Sequence, residues 1–433
     1  MKDKIKSFVV VLNRFSISSL YRKANTSDFI RKVVGTFASK ALLMSLTFIT
    51  SVLVARILGP HDRGLYSVAV ATTSMGVQFG TLGLNRSNVY YVAKNPTLLS
   101  PILGNSIIFS VLFGGFIASL TGLFFYLFPQ LAPIHGILLL LTLTGIPLGL
   151  AYLFLRNILL GINQVFVYNI IELLNRFIYL IAVFFLMTFQ GIIVETVYAS
   201  TLLASFLCIT FQIGHLWTKN NHPPQPSFQL LKDNVNYGIK AYLAALLFNM
   251  TLKTNLLMIQ YFLGSEQAGY YSVADSLGNM IYTIPLMVGL LLFPKLSAED
   301  SLHKSWVLVK KVTGIVSLIT GGICLLVALL AKPLVLLIFG DAFLPAASVC
   351  AGLMPAVFFL GFQVIVMQFD AAIGFPISVV FVRLIGLVIL VIYNLLFLRY
   401  GVQQAVIGST ISYACTAVLL LWIGRRKIRE QVA

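Results

Sequence analysis

Ionisable side chains inside long apolar stretches are the residues of this chain best placed to do chemistry. Lys253 lies well inside such a stretch, about ten residues or roughly 15 Å from its nearer end. Asn249 precedes it by four residues and shares its helix face. Because an ammonium in a wet cleft can hold a phosphate, the two residues predict an anion-binding site. A structural ion pair with Asp275 is the alternative.

Three further cations within apolar stretches are candidate site residues, and each has two explanations. Lys40 has hydroxyl-bearing neighbours typical of a cleft, but it could also snorkel to the membrane interface. Arg86 could bind substrate or anchor the positive side of the membrane. Arg383 could face the cleft or pair with Asp370, and pairing is the preferred interpretation.

Acids within the apolar stretches are the candidates for ion coupling, and they are Glu172, Asp275 and Asp370. A coupling acid must gain and lose its proton in place, which depends on its surroundings. Glu172 lies four residues before Arg176, the favourable order for an intrahelical ion pair. For Glu172 we therefore prefer a structural pair over coupling.

Prolines interrupt three apolar stretches, at Pro147, Pro285 and Pro355. Proline removes a backbone hydrogen bond and kinks a helix, so these positions are candidate hinges. A static kink held by neighbouring helices is the alternative.

Sequence motifs of enzymes are absent. The sequence has no phosphate loop, no Gly-x-Ser-x-Gly and no His-Glu-x-x-His. Its histidines lack ligand spacing, and its four cysteines occur singly, without Cys-x-x-Cys. We expect a protein that is not an enzyme and that uses no cofactor and no metal.

Composition indicates which elements position these residues. Of 433 residues, 59% are hydrophobic and 10% are charged. A helix needs about 20 mostly apolar residues to cross a bilayer. The sequence has twelve such stretches, at residues 33–57, 64–92, 102–128, 134–160, 165–188, 191–217, 238–263, 269–294, 306–330, 345–369, 376–398 and 402–423. They predict an all-α polytopic membrane protein with twelve transmembrane helices.

Lysine and arginine are concentrated on alternate links, which predicts the orientation. With the N-terminus inside, the inner segments carry most of the cations, and the outer links carry few, among them Arg56 and Arg63. Both termini are then cytoplasmic. The net charge of +17 is scattered along the links, so we expect no nucleic-acid partner.

One short phrase occurs twice, 205 positions apart (264 − 59 = 205). Residues 58–69 and 263–274 agree at seven of twelve positions. Six predicted spans separate the copies, so both cross in the same direction. This predicts two parallel six-helix repeats around a central cleft.

The repeat and the charge pattern divide the chain into five parts. These are a basic cytoplasmic segment (1–32), a first bundle (33–217), a cytoplasmic linker (218–237), a second bundle (238–424) and a basic cytoplasmic tail (425–433). Several prolines in the linker block helix continuation between the bundles.

Four segments carry a resemblance to a known family. They are VARILGPHDRGLY (54–66), GTLGLNRSNVYYVA (80–93), LLIFGDAFLPA (336–346) and RYGVQQA (399–405). They resemble bacterial Wzx-type polysaccharide flippases of the multidrug/oligosaccharidyl-lipid/polysaccharide (MOP) exporter superfamily, over nearly the whole chain. The resemblance implies alternating-access transport of a polyprenyl-pyrophosphate-linked oligosaccharide from the inner to the outer leaflet of the bacterial cytoplasmic membrane, for cell-surface polysaccharide biosynthesis. It assigns no site residue.

Two other functions stay open. A drug or cation exporter of the same superfamily would favour an anionic cavity, whereas bases here equal or exceed acids in the spans. A polysaccharide polymerase or glycosyltransferase usually carries a large external loop, and no link is that long. The expected partners are the lipid-linked oligosaccharide, membrane lipids, and a polysaccharide polymerase with other assembly proteins. A two-bundle chain can work as a monomer.

Overall fold

A computed structural model describes residues 27–188, 192–219, 223–299, 301–374 and 377–432. Residues 1–26, which form most of the predicted basic segment, lie outside the described residues. The described part is helical and contains no β-strand. Its α-helices are α1 (Ser27–Gly80), α2 (Leu84–Lys94), α3 (Leu99–Leu127), α4 (Gly136–Gly161), α5 (Val165–Leu186), α6 (Val194–Lys219), α7 (Phe228–Leu263), α8 (Ser265–Ser297), α9 (Leu302–Leu329), α10 (Ala331–Phe339), α11 (Ala346–Ala372), α12 (Ile377–Phe397) and α13 (Val402–Val432).

Within these ranges, eleven helices are long and apolar enough to cross a membrane. The first, Ser39–Gly80 within α1, consists of two helices joined at Gly59. Arg63 Nη2 donates a hydrogen bond to Ser51 Oγ at 2.9 Å. In a straight helix these residues would be about 18 Å apart along the axis, so the chain folds back at Gly59. The hairpin supplies two crossings, and the predicted all-α polytopic fold is confirmed.

Glycine makes the fold-back possible. Gly59 has φ 69° and ψ 178°, a conformation that side chains strongly disfavour. Gly264, which joins α7 to α8, has nearly the same angles, φ 85° and ψ 178°. The two glycines are the 205-residue pair of the repeated phrase, so the repeat is one of conformation as well as of sequence.

The two hairpins pack against each other reciprocally. A β-carbon on Gly64 would collide with the Ser265 carbonyl oxygen, and one on Gly269 would collide with the Pro60 carbonyl oxygen. Both pairs are related by the repeat shift (265 − 60 = 205; 269 − 64 = 205). Such an exchange is expected of parallel repeats that face each other across a two-fold axis. We call this end of the molecule the hairpin end.

A second pair of contacts at the hairpin end follows the same symmetry. Arg56 Nε, in the first half, donates to the Ile338 carbonyl at 2.8 Å. Gln260 Nε2, in the second half, donates to the Pro133 carbonyl at 3.0 Å. The two acceptors differ by the repeat shift (338 − 133 = 205), whereas the two donors differ by one residue less (260 − 56 = 204). The halves are therefore joined by similar bonds in both directions, with donors that are offset by one residue.

The link between α6 and α7 is tied to α3 at the opposite end, which we call the linker end. Ser100 Oγ donates to the Pro223 carbonyl at 2.7 Å, and Asn105 exchanges two hydrogen bonds with the Ser227 backbone. At the C-terminus, α13 continues to Val432, so residues 425–432 extend the last helix. The five-part division of the chain stays a prediction.

We expect Gly64→Ala to destabilise the protein, because its methyl group would strike backbone that cannot rotate away. Overpacking of this kind costs about 1–3 kcal/mol, which corresponds to a fall of about 5 °C in unfolding temperature. Thermal unfolding of the detergent-purified protein measures it. Gly322→Ala is the control, because no atom lies within 4 Å of that position. Equal unfolding temperatures for the two variants would contradict the close backbone contact.

Candidate functional site

A small cavity lies between the two halves. From the first half, the second arm of α1 contributes Gln78 and Phe79 to its wall. From the second half, α7 contributes Asn249 and Lys253. The structure thus brings together the two residues of the predicted anion site, one helical turn apart on the same face. We call this space the central cavity.

A second small cavity lies among α7, α8, α11 and α13. Its polar wall consists of Asp275 with Asn279, Ser409 and the tyrosines Tyr271, Tyr282 and Tyr413. Asn279 Nδ2 donates to Asp275 Oδ2 at 3.0 Å. Lys253 acts on the Asp275 carboxylate electrostatically, but no salt bridge joins the two among the described residues. The alternative of a structural pair is therefore not observed.

Arg63 closes the hairpin end. Its side chain is 6% exposed and donates to Ser51 at 2.9 Å in the first half and to Ser272 at 3.3 Å in the second. Ser276, one residue after Asp275, lies 3.5 Å from the same guanidinium. The charge pattern predicted Arg63 in an outer link, and this role of Arg63 was not predicted. The repeated phrase carries no signal for it, because Ala268 stands at the position equivalent to Arg63.

The linker end is closed by a different set of contacts. Gly83, at φ 80°, packs backbone to backbone on Gly238 of α7. Tyr242 donates its hydroxyl to the Phe79 carbonyl at 3.0 Å. The halves therefore touch at both ends and leave the central cavity between the two contacts.

Glu172 joins three helices of the first half. Its carboxylate accepts from Lys40 of α1 and pairs with Arg156 of α4 at 3.1 Å. The guanidinium of Arg156 also lies over the Tyr168 ring, 4.8 Å from its centroid. The predicted pair of Glu172 with Arg176 is wrong, because two cations from neighbouring helices occupy the carboxylate. Lys40 lines neither cavity.

Arg383 and Asp370 do not form the predicted pair. Arg383 is buried, donates to Gln363 Oε1 at 2.7 Å and covers the Phe248 ring. Asp370 is buried and pairs with Lys427 at 3.5 Å. The physical reason is the extension of α13, which carries Lys427 to the end of α11.

Arg86 and the three prolines predicted as hinges do not line the central cavity. Arg86 is exposed on α2 and lies outside the central cavity. The helices run continuously through Pro147, Pro285 and Pro355. The Pro285 ring packs tightly against Gly361, as expected for a static kink. A hinge role stays a prediction for all three prolines.

The chemistry of both cavities is that of binding. Their polar lining consists of one ammonium, one carboxylate, amides and hydroxyls. Within the described ranges, no three His, Cys, Asp or Glu side chains are grouped to hold a metal ion. An ammonium with amides and hydroxyls suits an anionic, hydroxyl-rich ligand.

Comparison with known proteins identifies the fold. A family model described as "Polysaccharide biosynthesis protein" matches residues 53–348. An inward-facing multidrug resistance MATE family transporter of the MOP superfamily is similar with a TM-score of 0.75 and 15% identity, over 90% of this chain and 94% of that chain. The lipid II flippase MurJ, in an inward closed conformation, is similar with a TM-score of 0.73 and 15% identity, over 91% of this chain and 87% of that chain.

A MOP superfamily transporter from Pyrococcus furiosus, with a binding pocket described as reversed in polarity, has a TM-score of 0.62 and 16% identity, over 92% of this chain and 95% of that chain. No curated protein matches the chain. Identities this low establish the fold alone. The expected fold, that of MOP superfamily transporters, agrees with these structural matches.

We expect Glu172→Gln to destabilise the protein more than Arg176→Gln does. The first change leaves Lys40 and Arg156 without their shared anion, and the second removes no observed ion pair. We expect an unfolding temperature about 5 °C lower for Glu172→Gln, measured by thermal unfolding in detergent. A larger fall in unfolding temperature for Arg176→Gln would instead support the intrahelical ion pair of Glu172 with Arg176.

Proposed function

We propose that this chain, which belongs to the polysaccharide biosynthesis protein family, is a flippase for a lipid-linked saccharide. Its substrate is a polyprenyl-pyrophosphate-linked oligosaccharide. The protein moves it from the inner to the outer leaflet of the bacterial cytoplasmic membrane, for cell-surface polysaccharide biosynthesis. A lipid-linked substrate agrees with the MurJ-like fold.

The observation that carries the proposal is the position of Lys253. It lies in a cavity between two halves that contact each other at both ends. A diphosphate that crosses the hydrocarbon layer needs a cation at mid-depth, because an uncompensated charge there is costly. Lys253 supplies the cation, and Asn249 supplies an amide for sugar hydroxyls.

Alternating access follows from closure at both ends. Opening the Gly83–Gly238 contact exposes the cavity to one side, and opening the Gly64–Gly269 contact exposes it to the other. Lysine and arginine predominate at the linker end, which we assign to the cytoplasm together with both termini. The lipid tail stays in the bilayer while sugar and phosphates pass between the halves. One chain holds both halves, so a monomer suffices.

Transport can be driven by the membrane potential and by an ion that binds to one acidic side chain. Moving an anionic headgroup outward is favoured by about 2.3 kcal/mol per charge per 100 mV. Glu172 and Asp370 are each held by cations, whereas Asp275 lines a cavity. Asp275 is therefore our candidate for ion coupling, and the other two acids are structural.

Export of organic cations is the second candidate function. The second cavity contains one carboxylate and three tyrosine rings, a composition that suits a cation with apolar groups. The central cavity, with its ammonium, does not suit such a ligand. We rank the flippase first for this reason.

Deletion of the gene tests the proposed function. We expect surface polysaccharide to be lost and the lipid-linked saccharide to accumulate on the inner leaflet, because synthesis continues while translocation stops. Accessibility of the saccharide to a membrane-impermeant label measures the side. Accumulation on the outer leaflet would favour a defect in polymerisation instead. Unchanged polysaccharide with increased drug sensitivity would favour the exporter.

We expect Lys253→Ala to lower export at least tenfold, since a hydrogen bond to a charged group is worth about 1.5–3 kcal/mol. Lys253→Arg keeps the charge and should retain most of the activity. Surface polysaccharide at matched protein levels measures both. Lys304→Ala is the control, since its side chain is 74% exposed and far along the chain from the cavity. Normal export by Lys253→Ala would remove Lys253 from the site.

A further inference from the structure

An unusual helix face remains outside the central cavity. Arg86, Tyr90 and Lys94 follow each other at intervals of four on α2, so they form one stripe. The opposite face of α2 is buried through Leu84, Asn88 and other residues. The stripe therefore places one cation on each side of an aromatic ring at the surface.

A second ring from the other half completes the arrangement. Tyr237 of α7 stacks on Tyr90 with centroids 4.5 Å apart and planes at 12°. The two rings remain 46% and 40% exposed. Lys94 Nζ lies 5.8 Å from the Tyr90 centroid, which keeps a positive charge beside the stack. The stack thus joins the halves at the surface of the linker end.

The stack lies directly beside the contact that closes the linker end. Tyr237 immediately precedes Gly238, whose backbone meets Gly83. Separation of the halves at this contact would also separate the two rings. A ligand on the rings would then lie at the opening to the central cavity, where Gln78 and Phe79 line the wall.

The exposed face of α2 is poor in large apolar side chains. Within α2, all of which is described, Tyr90 is the one large apolar or aromatic side chain that is exposed. By contrast, α3 exposes Ile108, Leu112 and Phe116. The α2 segment also has no acidic residue that would neutralise Arg86 and Lys94. Cations and a ring without acids are complementary to an anionic ligand that has a flat apolar face.

We propose that Tyr90, Tyr237, Arg86 and Lys94 form a docking platform for the saccharide-diphosphate headgroup of the transported lipid. The inference rests on the proposed function and names where the substrate is first held. A pyranose ring presents C–H groups that pack on the negative face of an aromatic ring. Arg86 and Lys94 bind the phosphates on either side. The platform captures the headgroup before the linker end opens.

Export at graded substrate supply tests the platform in the deletion strain. Precursor synthesis is placed under an inducible promoter, and surface polysaccharide is measured at matched protein levels. We expect Tyr90→Ala to lower export about three- to tenfold at low supply and to approach wild type at high supply, because docking affinity is reduced. Tyr90→Phe keeps the ring and should behave like wild type. Tyr90→Leu fills the space without a ring and should behave like Tyr90→Ala.

A matched control lies at the opposite end of the molecule. Tyr400 is 68% exposed, and the Arg399 guanidinium lies over its ring. Tyr400→Ala removes a comparable tyrosine beside a cation and should leave export unchanged at every supply. Arg86→Gln together with Lys94→Gln should reproduce the low-supply defect.

Four outcomes would overturn the platform. They are normal export by Tyr90→Ala, full activity of Tyr90→Leu, an equal loss at all supplies, and photo-crosslinking of Tyr90→p-benzoylphenylalanine to phospholipid alone. Crosslinking to the lipid-linked saccharide supports it. Failure of the proposed function looks different, because the deletion strain itself would then keep its surface polysaccharide or accumulate the lipid-linked saccharide on the outer leaflet.

Discussion

Direct contact of backbone with backbone between the two halves is the constraint on which the rest of the structure depends. At the hairpin end, Gly64 and Gly269 approach the carbonyl groups of the opposite half so closely that no side chain fits. This approach brings Arg63 within reach of serines on α8 and buries it. Together with the contact at the linker end, this approach fixes the positions of α1 and α7, whose side chains line the central cavity. Helix packing in a bilayer relies on small residues for the same reason.

Charge in the interior separates into a structural and a functional group. Glu172 pairs with two cations and Asp370 with one, all from other helices, and these pairs hold helices together. Lys253 and Asp275 are different, since each lines a cavity and they are joined only by longer-range attraction. A charge within a membrane-spanning helix is costly when it has no close partner of opposite charge. A ligand that binds Lys253, or an ion that binds Asp275, would offset this cost during transport.

The sequence was sufficient for features that depend on composition and on local geometry. Apolar length predicted the spans, and the repeated phrase predicted two similar halves, in which Gly59 and Gly264 have matching dihedral angles. Asn249 and Lys253 were placed on one face because helical spacing is local. Pairing between helices was not predictable in this way. Glu172 has a suitable cation four residues away, yet Lys40 and Arg156 approach it from helices whose neighbours only the fold determines.

The two ends of the interface differ in a way that bears on how transport is controlled. The backbone contacts of Gly64 and Gly269 at the hairpin end obey the repeat shift of 205, so each half contributes the same backbone surface there. The Gly83–Gly238 contact at the linker end has no such counterpart, because the repeat places valines, Val288 and Val33, at the corresponding positions. Duplication alone can therefore build the glycine contacts of the hairpin end but not the glycine contact of the linker end. Because the Gly83–Gly238 contact has no equivalent elsewhere in the repeat, it can change without affecting a second contact. The linker end is thus the part of the interface free to acquire substrate-specific groups, and the aromatic and cationic side chains of α2 and α7 lie there.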